Sequence, residues 1–253
     1  ATHFSETAIE TREEVRRSVI VERLDSEQSA VATIQTAIQQ GQCVCWIRNT
    51  VADAQNSYEF LLQQDWLTPE NVTLFHSRYA MIDRQAIEMD VLSRFGKTSG
   101  PSQRTGQVLI ATQVVEQSLD LDFDVMISDL APIDLIIQRA GRLQRHVRNV
   151  HGNVIQQGKD GRPMPCFYIV SPDPENVRDR NWLKSLLPGT QTVYRHVGQL
   201  WLTMKALLQN KGFSMPDDAR NLIEFVYGGH HEIPEVLELA SLDAEAEGER
   251  RHH

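Results

Sequence analysis

The sequence predicts an α/β protein, a parallel sheet covered by helices, on three observations. From residue 19 to residue 170, short apolar runs alternate with longer stretches of helical period, the signature of strand–helix–strand units. Cap and turn residues stand at the joints of that alternation. Hydrophobic residues make up 41% of the chain and charged residues 23%, ordinary globular usage that excludes disordered, collagenous and coiled-coil organisation.

Each element has its own justification. Residues 19–24 make a strand, and Ser26 then caps a helix whose apolar positions Val31, Ile34 and Ile38 recur every three or four residues. Gly41 ends it, where a left-handed residue is wanted. Residues 42–48 are a β-rich run, and Thr50 to Asp53 has the form of a capping box opening a helix to about residue 64. A short strand at 72–75 precedes a helix over 80–95, and a Gly, Ser and Pro loop follows at 96–106. Residues 108–111 and 125–128 complete the buried strands, Pro132 opens a further helix through 145, and 166–170 is a last strand.

Beyond Val170 the character changes. The boundaries read as 1–172 for the α/β domain, 173–191 for a linker containing Pro174 and Pro188, and 192–253 for a helical segment that begins an accessory C-terminal domain. In that segment Val193, Val197, Leu200, Trp201, Met204, Leu207 and Leu208 form one stripe of a helix over 192–210. Two more helical patterns lie near 216–227 and 234–249.

Lys and Arg number 25 against 34 Asp and Glu, a net charge of −9, so a generally basic shell for wrapping nucleic acid is excluded and a local patch is not. The longest uncharged run, 28–47, contains five Gln and a Gly, and no membrane segment is expected. Ala1 follows neither a leader pattern nor an initiator, so the sequence reads as a piece of something longer. Cys43, Cys45 and Cys166 match no zinc spacing. They are expected as free thiols of a reducing compartment, hence a cytoplasmic location.

Residues just past the ends of parallel strands gather along one edge, where ligands of open α/β sheets bind. Three such ends carry compact polar groups: Arg48, Asn49 and Thr50; His76, Ser77 and Arg78; Thr112 and Gln113. Capping alone explains Thr50 or Ser77, but the coincidence of three favours a track for a phosphate backbone. In PIDLIIQRAGRLQR, 132–145, a helical wheel puts Ile136, Ala140 and Leu143 on one face and Gln138, Arg142 and Arg145 on the other. Residues 138–162 hold six Lys or Arg and one acid in this acidic chain, and paired arginines suit a transferring γ-phosphoryl group. Gly141 inside that helix is expected to mark close approach of another surface. Gly96-Lys97-Thr98 lacks the first glycine of a phosphate-binding loop, since Val91 stands there. Asp120, Asp122 and Asp124 lack the glycine and closing glutamate of a calcium loop, so no metal site is expected on this chain.

VLIATQVVEQSLDLDFDVMISD at 108–129, followed by IIQRAGRLQRH at 136–146, resembles motifs V and VI of the second RecA-like domain of superfamily 2 helicases. The wording is similar to the CRISPR-associated helicase-nuclease of type I systems. The resemblance spans about 19–170 and implies a RecA-like fold, ATP with Mg as cofactor, and 3′ to 5′ movement on single-stranded DNA. By position it implies that Arg142 and Arg145 contact the γ-phosphate with Gln138 and Gly141 beside the nucleotide, and that Asp120 couples nucleotide to strand. Asn49, Thr50, His76, Ser77, Arg78, Thr112 and Gln113 then touch nucleic acid. Neither a DExH-type motif nor a His-Asp dipeptide occurs. The first RecA-like lobe and the nuclease domain are thus expected partners, with the surveillance complex that recruits the enzyme, and the chain alone is expected to be inactive. A lobe of another superfamily 2 DNA or RNA helicase and a non-catalytic docking module are the rival readings.

Overall fold

The computed structural model describes residues 17–79, 81–116 and 119–250. Those residues form a seven-stranded sheet from β1 (Arg17–Leu24), β2 (Val44–Ile47), β3 (Val72–Phe75), β4 (Val108–Ala111), β5 (Val125–Asp129), β6 (Cys166–Val170) and β7 (Gly212–Met215). The spatial order is β3-β4-β2-β5-β6-β1-β7. Every pairing is parallel except that of β7 with β1. Strands β2, β4 and β5 are buried along their whole length, which is why they read as unbroken apolar runs rather than alternating ones.

The helices are α1 (Glu27–Gln39), α2 (Val51–Leu62), α3 (Met81–Phe95), α4 (Pro101–Arg104), α5 (Ile133–Ala140), α6 (Pro188–Val193), α7 (Val197–Gln209), α8 (Ala219–Tyr227) and α9 (Glu235–Arg250). Ser26 caps α1 by accepting from the Ser29 N–H at 3.1 Å, and Gly41 follows it at φ +73°. Thr50 caps α2 by accepting from the Asp53 N–H at 3.0 Å, while its hydroxyl donates to the Asp53 carboxylate at 2.6 Å. Ala80, the expected start of α3, lies outside the described residues.

The structure departs from expectation in four places. Helix α5 stops at Ala140 with Gly141 as its C-cap and does not run to Arg145. Pro132 sits one residue ahead of its first turn. The helix expected over 192–210 is two, because Tyr194 is extended (φ −114°, ψ 100°). Val193 is consequently exposed, whereas Val197, Leu200, Met204 and Leu207 pack inward. The C-terminal segment also carries a strand. β7 needs Gly212, whose φ is +145° and where a Cβ would fall 2.1 Å from the Val19 carbonyl oxygen. Residues 171–187 form turns, yet Trp182, Leu183 and Leu187 are buried, and the indoles of Trp182 and Trp201 donate to the Asp173 and Pro174 carbonyls, each at 2.8 Å.

Candidate nucleotide and nucleic-acid site

At the C-terminal edge of the sheet the three predicted strand ends meet. Asn49 is 2% exposed; its amide donates to the Leu130 carbonyl at 2.8 Å and to the Thr190 hydroxyl at 2.9 Å, and its oxygen accepts from Arg139 at 3.1 Å. Gln113 donates to the Asn49 carbonyl at 2.9 Å and to the Tyr194 hydroxyl at 3.3 Å. Thr112 is buried, with its N–H on the Phe75 carbonyl at 3.1 Å. Helix α6 lies over this corner, since a Cβ on Gly189 would fall 2.2 Å from the Asp53 carboxylate and 2.9 Å from the Thr50 methyl.

The predicted strand-contact residues are therefore split by exposure. Ser77 and Arg78 stand at the surface. His76 is buried, accepts from the Arg78 N–H at 3.2 Å and stacks on Tyr79 at 4.2 Å. Burial, with the Arg78 charge, holds its imidazole below the ordinary histidine pKa. Asn49 commits its side-chain amide to partners inside the fold, and Arg48 is equally committed. It bonds Asp129 at 2.9 Å and Glu27 at 2.5 Å, and also the Ser57 hydroxyl.

The arginines come together by a route other than a helical face. After Gly141, residue 143 bridges to Phe123, whose N–H donates to the Arg142 carbonyl at 3.0 Å and whose carbonyl accepts from Gln144 at 2.8 Å. Gln144 takes φ +46°, turning the chain so that Arg142 reaches Val115 and Glu116 and Arg145 reaches Asp120. Arg142 donates to the carbonyls of Val115 at 3.3 Å and Glu116 at 3.2 Å. Arg145 pairs with Asp120 at 2.8 Å with the two side chains 40% and 47% exposed, and His146 meets the same oxygen at 2.8 Å. Gln138 remains exposed on α5, apart from this loop's backbone. The atom a Cβ on Gly141 would meet is the Gln138 carbonyl of its own preceding turn, at 2.9 Å, so among the described residues Gly141 serves as a cap.

No carboxylate pairs with Arg142 among the described residues. Burial and the neighbouring Arg145 charge lower its pKa, against the pull of Asp120 and Glu116. Arg17 belongs to the same cluster. It donates to the carbonyls of Gln144 at 3.0 Å and Ala140 at 3.4 Å, its Nε is buried without a partner, and burial with Arg145 brings it to about 10. A group of guanidiniums short of counter-charge and held by backbone carbonyls is a fitting receptor for a phosphate terminus. Among the described residues no three His, Cys, Asp or Glu side chains could hold a metal ion.

Half of the expected basic patch is internal: of its six Lys and Arg, Arg142 is half-buried and Arg145 and Lys159 are exposed. Arg139 is fully buried, on Glu116 at 2.6 Å and the Ser128 hydroxyl at 2.7 Å. Arg148 is fully buried on Asp122 at 2.5 Å, and Arg162 bridges Asp122 at 3.1 Å, Asp124 at 3.0 Å and Asp160 at 2.7 Å. Arg104 completes the network on Asp124 at 3.1 Å. Thus the alternating Asp122 and Asp124, which resemble a calcium loop, anchor arginines. Sequence reasoning missed Arg17, Arg139 and Glu116. For Arg139 a signal existed: on the α5 wheel it falls among Ile136, Ala140 and Leu143, an arginine on the apolar face.

Comparison with known proteins adds a family. Residues 40–148 match the family described as CRISPR-associated nuclease/helicase Cas3, C-terminal. The CRISPR-associated endonuclease/helicase Cas3 of Escherichia coli (strain K12) is 35% identical over 193 residues, 76% of this chain and 20% of that protein. Among solved structures, T. fusca Cas3-ATP aligns with a TM-score of 0.74 and 30% identity over 95% of this chain and 26% of that one. A CRISPR RNA-guided surveillance complex, pre-nicking, contains a chain aligning with a TM-score of 0.68 and 28% identity over 92% of this chain and 28% of that one. The RecA-like α/β fold holds. The chain spans about a fifth of the E. coli relative and about a quarter of each of these structures.

Proposed function

Because this chain carries the C-terminal helicase segment of the Cas3 family, its second RecA-like lobe, we propose that it is one half of an ATP-driven single-stranded-DNA motor acting in CRISPR interference. The observation that carries the reading is the Arg142–Arg145 pair, one guanidinium without a carboxylate partner beside one in a half-exposed pair. In this reading Arg142 and Arg145 bind the γ-phosphate of ATP and stabilise charge that develops during transfer, a role worth about 10³ to 10⁵ in rate where measured in other enzymes. Bound ATP with Mg supplies the phosphoryl group. The remaining wall of that site and the ligands for the ion come from the first lobe. Arg17 holds the Ala140–Gln144 turn from which both arginines extend. Ser77 and Arg78 contribute to a strand track, and the nuclease domain and the surveillance complex are the further partners.

In a polypeptide that also contains the first lobe, Arg142→Ala is expected to remove most ATP turnover. It should leave stability within about 1 kcal/mol, since the side chain bonds only to carbonyls and is partly exposed. Equal turnover in mutant and parent rejects the role. The chain alone is expected neither to hydrolyse ATP nor to unwind DNA, and turnover by it sinks the half-site reading. A protein-docking module is the second reading, favoured by the cover that α6 places over Asn49 and Thr50. Strand binding that weakens with salt at about −0.7 per phosphate contact speaks for the motor, and salt-independent binding for docking.

A further inference from the structure

The acidic helix α9 lies on a row of cations. Asp243 pairs with Arg180 at 2.9 Å and Glu247 with Lys184 at 3.2 Å, while Glu245 stands 3.8 Å from His196. Arg195 has no carboxylate partner among the described residues. Its guanidinium lies flat on Gly248, where a Cβ would fall 2.1 Å from Cζ. Glycine is a poor residue for a helix interior, and here its missing side chain is what seats the arginine. Between α9 and α6 is a cavity of about 440 Å³ lined by Lys184, Gln191, Thr192, Arg195, Glu247 and Gly248. Gln191 is 7% exposed, and its Oε1 is buried without a partner. That oxygen accepts and does not donate, so it is no partner for a phosphate; the cations Lys184 and Arg195 are the groups that suit one. The grip of α9 is light: it buries Leu237, Ala240 and Ala244, exposes Leu242, and its ion pairs are half exposed. Such pairs contribute little and are screened by salt.

We propose that this cavity, walled by Lys184 and Arg195 and floored by Gln191, is a second binding site for the backbone of single-stranded nucleic acid, and that α9 competes with the strand for it. Helix α6, which forms one wall, sits on Thr50 and Asp53 at the sheet edge, so the site continues the track of the motor reading, on which it rests. The carboxylates of α9 occupy the positions that phosphates take.

Fluorescence anisotropy of a labelled oligothymidine on the 253-residue chain tests it. The variant Asp243→Asn/Glu245→Gln/Glu247→Gln should bind about tenfold more tightly than the parent. Adding Lys184→Ala and Arg195→Ala should abolish the gain. A control with the same charge change elsewhere, Glu59→Gln/Asp65→Asn/Glu70→Gln, should leave affinity within about twofold. Equal tightening in the control, or none in the α9 variant, overturns the proposal. So does binding of a glutamate-rich peptide by the α9 variant without binding of the oligonucleotide, which assigns the strip to a protein partner. In any of these cases, salt-sensitive strand binding by the parent that is lost in Ser77→Ala/Arg78→Ala keeps the motor reading alive. Absence of salt-sensitive strand binding by the parent fails both.

Discussion

Two sets of arginines from one short stretch of sequence have opposite fates. Arg139, Arg148 and Arg162 are buried in ion pairs, whereas Arg142 bonds only to the Val115 and Glu116 carbonyls and Arg145 holds a half-exposed pair with Asp120. The difference lies in where the acids are. Asp122 and Asp124 lead into β5 and are carried inside with it, so the arginines that reach them go inside too. Asp120 precedes the Phe123 rung and stays outside with Arg145. A run of basic residues therefore reports a basic surface only after its buried pairs are subtracted, and here the remainder is small and local.

The sharpest way to break this contrast is at Asp122, which is 0% exposed and holds both Arg148 and Arg162. Asp122→Ala strands the buried Arg148 guanidinium, while Arg162 keeps Asp124 and Asp160, and is expected to cost about 3–5 kcal/mol, the range for uncompensated buried charge. Urea unfolding would read it as a large drop in midpoint. A shift below about 1 kcal/mol would mean that the network relaxes into solvent and that the buried and presented arginines differ less than the geometry says.

Acid attacks the same network more gently. Burial raises the Asp124 carboxyl, but Arg104, the Cys43 N–H and Arg162 outweigh it and hold Asp124 below the ordinary range. For Asp160, likewise, bonds from Arg162 overcome burial. A carboxylate whose folded pKa is depressed stabilises the fold above its unfolded value, about 3.9, and that stability is lost as pH falls through the lower folded value. Stability from this pair should thus be level at neutral pH and decline below about pH 4. Replacing Asp124 by Asn should flatten the acid limb of a thermal-melt series, and an unchanged limb would remove Asp124 from the account.

The fold was legible wherever burial on both faces leaves an unbroken apolar run. Strands at 72–75, 108–111 and 166–170 were expected at the bounds observed, because polar residues or, at 165, a proline flank each run directly. Strand β7 was not legible: Gly-Phe-Ser-Met is four residues at a sheet edge, and its partner β1 lies some 190 residues earlier in the chain. The helix through Arg145 was wrong for a local reason, since the Phe123 rung captures residues 142–144 and no wheel sees a bridge to residue 123. Arg142 and Arg145 lie close enough to influence each other's charge, but through that bridge and not through a shared helical face. Asn49 was read as a contact for a ligand because it follows a strand, but Arg139 and Thr190 claim its side chain from 90 and 141 residues away. Long-range partners of that kind leave no mark in local spacing.

The smallest expected change sharpens the comparison most. Asp120 gives one oxygen to both Arg145 and His146, and the pair is half exposed. Asp120→Asn should move stability by no more than about 0.5 kcal/mol, as exposed pairs usually do. If Asp120 merely neutralises the loop, nothing else changes. If it couples the nucleotide to the strand, the same substitution in a protein containing both lobes should leave basal ATP turnover near the parent's while reducing its stimulation by single-stranded DNA. A fall in basal and stimulated turnover by the same factor would assign Asp120 to nucleotide binding alone and withdraw the coupling role.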